Sequence, residues 1–204
     1  IDENIDIVKK SPLRFKALRK AINYGFDRVK MVKFFRNNIG FPATAGFIPN
    51  GLPSFNDKIV KGYTYDPEKV RQLLIEAGYP DGKGMPEITL HTTDNYLEQT
   101  EFIQSQLADN NINVKISVDK PAVLRQAVAS CEYNFFKKSW VGDYADEENF
   151  MSLFYSKNFA PVGSNYTHYK NPEFDVLFEK VIREQNREVK NVLYQQMDQM
   201  LIDD

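Results

Sequence analysis

Carboxylates crowd one stretch of the chain: Asp143, Asp146, Glu147 and Glu148 all follow closely on Trp140. Clustered carboxylates are the donor set of a hard cation such as Ca²⁺. The spacing does not match an EF-hand loop, however, and no glycine stands where its sharp turn belongs. Acids at a helix start are also favoured by the helix dipole, which accounts for Asp146, Glu147 and Glu148 without a ligand. Asp143 is different. It sits in Trp140-Val141-Gly142-Asp143-Tyr144, just past a predicted strand, and ligands of parallel α/β sheets bind beyond the carboxyl ends of strands. A carboxylate beside an indole and a phenol suits an ammonium group, by ion pairing from Asp143 and apolar or cation–π contact from Trp140. Lys137, three residues before Trp140, reads in two ways: a surface lysine with its stem laid along apolar neighbours, or a basic group facing a ligand.

Little else points to catalysis. The histidines, His91 and His168, have neither a second histidine at i+4 nor the spacing of a zinc set. Both read as structural or solvated. No G-x-S-x-G elbow, P-loop or G-x-G-x-x-G is present, and Gly82-Lys83-Gly84 reads as a turn. The single Cys131 excludes an internal disulfide and a cysteine-based zinc site. The expectation is a protein that is not an enzyme, with no catalytic residue, no metal and no cofactor. The competing readings are a small-molecule hydrolase using Asp143 and His168, and a protein-interaction domain using an aromatic-rich loop.

The elements that would position these residues follow from pattern. Ser11-Pro12 and Asp27 start short helices, the first carrying Phe15, Leu18 and Ile22. Residues 40–65 break into Pro, Gly and aromatics, and a loop of that length in a compact domain is usually functional or packed over a cleft. Asp66-Pro67 opens a helix with Val70, Leu73, Leu74 and Ala77 on one face and Gly78 as its stop. Ile88, Leu90 and Thr92 alternate as a strand, residues 95–109 read as helix, and Ile112 to Val118 alternate as a second strand with one wet face. A helix from Pro121 leads to a third strand over 133–141. Two strand–helix–strand units in succession imply parallel pairing. Three helices follow, around Phe150 to Phe154, from Asn171-Pro172, and across Val189 to Leu201.

The 204 residues are 42% apolar, enough for a normal core, and the net charge of −2 leaves no basic footprint for nucleic acid. No apolar run is long enough to span a bilayer and no signal peptide is seen. The chain reads as a piece of a longer protein whose targeting signal lies elsewhere.

Several segments belong together: Leu18-Arg19-Lys20-Ala21-Ile22-Asn23-Tyr24-Gly25-Phe26-Asp27-Arg28, Pro42-Ala43-Thr44, and the run Tyr65-Asp66-Pro67-Glu68-Lys69-Val70 through Ala77-Gly78-Tyr79. Gln104-Ser105-Gln106-Leu107, Ile112-Asn113-Val114, Trp140 to Tyr144, and Asn171-Pro172-Glu173-Phe174-Asp175 complete the set. In this order they resemble the oligopeptide- and dipeptide-binding proteins that feed ABC importers, solute-binding protein family 5. The resemblance implies an α/β fold: residues 1–204 as a single lobe of a two-lobed, flytrap-like periplasmic-binding-protein fold, with a mixed sheet of parallel βαβ units flanked by helices and the first lobe absent. It implies capture of a peptide, or a related small solute such as a nickel chelate, haem or sugar, and delivery to an ABC-transporter permease. It further implies a periplasmic or extracellular monomer, held at the membrane, if at all, by an N-terminal lipid anchor outside this sequence. In peptide-binding members the aspartate matching Asp143 holds the peptide's α-amino group, and Trp140 and Tyr144 would line the cleft. Lys137 would meet a ligand carboxylate, and Asn165, in Gly163-Ser164-Asn165-Tyr166, would also face the cleft. Where many relatives continue with Asp-Pro, this chain has Ala145-Asp146-Glu147-Glu148, a change at the rim.

Overall fold

The computed structural model describes residues 6–204, which divide into two compact units. One comprises residues up to 42 together with 63–138; the other comprises 43–62 and 139–204.

In the first unit, α1 (Asp6–Lys10) is followed by α2 (Lys16–Tyr24), α3 (Arg28–Arg36) and α4 (Pro67–Glu76). Ser11 caps a 3₁₀ turn over Pro12–Arg14, so α2 starts later than its sequence signal suggests. Leu18, Ala21 and Ile22 on α2 meet Val70, Leu73, Leu74 and Ala77 on α4, the i, i+3, i+4 stripe that a helix buries. Asp66 caps α4 by accepting from the Lys69 N–H. Gly78, at φ 85°, ends it: its N–H reaches Ile75 O and that of Tyr79 reaches Leu74 O, a Schellman stop that needs a left-handed residue.

Strand β1 (Ile88–Thr92), helix α5 (Leu97–Asp109) and strand β2 (Val114–Val118) form a parallel unit in the register Ile88↔Val114 to Thr92↔Val118. Gln side chains tie α5 to its surroundings. Gln104 Nε2 donates to Val114 O at 2.6 Å, and Gln106 Oε1 accepts the Asp27 N–H at 2.6 Å. Two expectations need correction here. Ile112 is not in the strand; it is fully buried in the turn before it, its N–H bonded to Leu107 O. The alternation also fades along β2, because Val118 is 44% exposed. After α6 (Pro121–Ala129), the third strand reduces to a single parallel bridge, Phe136 to His91. His91 N–H donates to Phe135 O, and Lys137 N–H to His91 O. Phe135-Phe136-Lys137-Lys138 pairs like residues in succession, so a two-residue period cannot hold one apolar face inward beyond that point.

The second unit holds α7 (Glu148–Met151), α8 (Pro172–Val181) and α9 (Arg187–Asp203). Asn171 and Asn186 cap α8 and α9, each accepting two backbone N–H groups. Phe174, Phe178 and Val181 on α8 pack with Leu193, Tyr194 and Met197 on α9, Met151 on α7, and Ile48. The irregular segment 43–62 is not a loose loop. Polar side chains of α9 fasten it: Asp198 accepts from the N–H groups of Phe47 (2.6 Å) and Ile48 (3.4 Å), Gln195 Nε2 donates to Ser54 O, and Gln199 Oε1 accepts from Lys61 N–H. Gly46 is required by this approach, since a Cβ there would fall 1.9 Å from Asp198 Oδ2. The segment thus buries Ile48 and Val60 and leaves Phe47 and Ile59 partly outside.

Candidate functional site

The loop Trp140 to Tyr144 carries no regular structure, so side chains must hold it. Asn149, on α7 and only 5% exposed, does so: its Oδ1 accepts from Trp140 Nε1 at 2.7 Å and from the Asp143 N–H at 3.4 Å. Between them Gly142 lies against Phe150, whose ring would stand 3.1 Å from a Cβ at that position. Phe150 packs edge-on against Phe47, and Phe47 against Phe154. The loop therefore presents an indole anchored at its nitrogen and, three residues on, an exposed carboxylate. No hydrogen bond or ion pair among the described residues engages the Asp143 carboxyl oxygens. Tyr144 is 54% exposed beside it.

Two other acids of the run are engaged within the protein. Asp146 Oδ1 accepts the Glu148 N–H. Glu147 is fully buried, accepts from the Ser54 N–H at 2.7 Å, and is gripped through both oxygens by Arg187 at 2.7 and 2.9 Å. Burial opposes its ionisation, but the hydrogen bonds from its own backbone, Ser54 and Arg187 prevail and hold its carboxyl below the usual range. The helix dipole alone does not account for Glu147; it is the centre of an ion pair that the sequence pattern did not disclose.

Asn165 is corrected as a cleft residue. It is fully buried, its Nδ2 donates to Tyr155 O and Tyr169 O, and its Oδ1 accepts from Thr167 Oγ1 and the Tyr169 N–H. Its amide has no capacity left for a ligand, and it staples the loop before α8 instead. Lys137 belongs to the first unit. Its Nζ lies 4.1 Å above the Tyr96 ring, and burial first of all, with Arg36 adding to it against Tyr96, lowers its pKa. Its Nζ also donates to Lys138 O at 3.4 Å, so it is not a freely solvated lysine.

The histidines differ in role. His91 Nδ1 lies 3.0 Å from Asp119 Oδ2 and its ring stacks on Tyr133 at 3.4 Å. His168 sits beside the Phe159 ring, and its Nε2 is buried with no hydrogen-bond partner among the described residues. A hydrolytic pair needs an imidazole nitrogen open to substrate, and the buried Nε2 of this half-buried ring is not one.

Residues 4–161 match the bacterial extracellular solute-binding proteins, family 5 (middle). The fold agrees. An ABC transporter-associated periplasmic binding protein of Helicobacter pylori, solved in complex with the peptide STSA, superposes with a TM-score of 0.85 at 26% identity, over 96% of this chain and 38% of that one. Among curated relatives, heme-binding protein A of Haemophilus influenzae is 31% identical over 92% of this chain and 35% of its own length. The dipeptide-binding protein of Escherichia coli is 27% identical over 96% of this chain and 37% of its own length. The chain belongs to solute-binding protein family 5, with the α/β lobe architecture of the periplasmic binding proteins. It spans little more than a third of the relatives it matches.

Proposed function

We propose that this chain is part of the extracytoplasmic receptor of an ABC importer, one lobe of a two-lobed protein that closes over a solute and passes it to a permease. The favoured solute is a short peptide with a free amino terminus. The observation that carries this reading is the exposed, unengaged Asp143 carboxylate, presented next to an indole that is itself held in place. An ammonium group would find there a negative charge and a π-face. Tyr144, exposed beside Asp143, forms a further wall. The reading extends to a monomer outside the cytoplasmic membrane, anchored by lipid if anchored at all; no helix of the described residues is long and apolar enough to cross a membrane.

Calorimetric titration of short peptides tests it. Asp143→Ala is expected to weaken binding of free-amine peptides by about 10- to 100-fold, the effect of losing a charge-assisted hydrogen bond. Equal binding of N-acetylated and free-amine peptides would overturn the amine anchor. Because one curated relative is named for haem, haem is the competing solute. A Soret shift on adding haem, insensitive to Asp143→Ala and unaccompanied by peptide binding, would establish it instead.

A further inference from the structure

The amide of Asn149 accepts both N–H groups that define the Trp140–Asp143 loop. We infer that Asn149 is the positioning residue of the ligand site, aiming the Trp140 indole and the Asp143 carboxylate together; the inference rests on the binding role just proposed for those two residues.

The physical case has three parts. First, the loop lacks backbone pairing of its own, so Trp140 Nε1–H to Asn149 Oδ1, at 2.7 Å, is what fixes the indole's orientation. Second, Asn149 is 5% exposed, so water cannot easily take over as acceptor when the amide is removed, and the indole N–H must swing outward to find one. Third, Asn149 stands on firm ground: its own N–H reaches Asp146 O, and its helix is rooted by Met151, fully buried in the core with Tyr194 and Met197. A neutral acceptor also has a purpose here. It receives both N–H groups without adding a second negative charge beside Asp143, while Asp146 and Glu147 are engaged elsewhere.

Trp140 is the sole tryptophan, so selectively excited tryptophan fluorescence reads this one loop. Asn149→Leu keeps the side-chain size but removes the acceptor, and Asn149→Asp keeps the acceptor. The expected result is a red-shifted Trp140 emission and a roughly tenfold or greater loss of affinity for a free-amine dipeptide in Asn149→Leu, with far-ultraviolet dichroism unchanged. Asn149→Asp should restore the Trp140 emission. Asp143→Asn should weaken the dipeptide yet leave the emission where it was. An Asn149→Leu protein with wild-type emission and affinity overturns the inference, as does an Asn149→Asp protein whose emission is as displaced as that of Asn149→Leu. If the wild-type protein binds no amine while Asn149→Leu still shifts the emission, the hold on the loop stands and the proposed ligand falls.

Discussion

The carboxyl of Asp198 is 3% exposed and has only two peptide N–H groups for company. Burial outweighs those bonds and pushes its pKa up from 3.8 to about 6. The folded chain therefore binds this proton more tightly than the unfolded one between those values. Stability contributed by this group is fullest below pH 4, falls as pH rises to about 6, and is level above. A rise of that size corresponds to roughly 3 kcal/mol. Urea unfolding from pH 4 to 7 should show this downward slope in the wild type and lack it in Asp198→Asn. Glu147 works the other way, its stabilisation present above the ordinary carboxylate pKa and lost as pH falls through its lowered value. Glu147→Gln should cost about 2 kcal/mol at neutral pH by the same measurement, less than for a fully enclosed pair because Arg187 remains 42% exposed.

Among elements, the longest helix, α9, does the most fastening, and its start is set by one side chain. Asn186 Oδ1 accepts the N–H groups of Glu188 and Val189. Asn186→Ala should lower stability by about 1 kcal/mol, and Asn186→Gly by only a few tenths, as read by thermal unfolding. Such caps were legible in advance: Asp27, Asp66 and Asn171 each stand before an apolar-periodic run and each cap a helix. A cap is read from neighbours along the chain, which is why it could be seen. The third strand was not legible in its true extent, because pairing depends on a partner, and the Phe136 bridge to His91 ends where the alternation does. Residues 40–65 read as irregular from their composition, but the attachment of the segment to Asp198, Gln195 and Gln199 joins residues some 140 to 150 positions apart.

For the whole molecule, length matters most, since the chain spans 35% and 37% of the relatives named. A ligand held by this portion alone would repay its ordering cost with fewer contacts. Dipeptide affinity of the 204-residue chain should be at least tenfold weaker than that of a protein extended to the relatives' length, by titration of both. What the sequence alone determined was local or additive: helix stripes and their caps, the parallel strand–helix–strand unit, the family motifs, and Trp140 to Tyr144 as the stretch to watch. The tertiary structure decided the rest. It turned Glu147 inward to Arg187, consumed all four hydrogen bonds of Asn165, buried the Nε2 of His168, and placed the Asn149 amide against the indole nitrogen. A side chain's type states which bonds it can make, but whether those bonds are spent inside the protein or left for a ligand depends on which distant backbone groups reach it first.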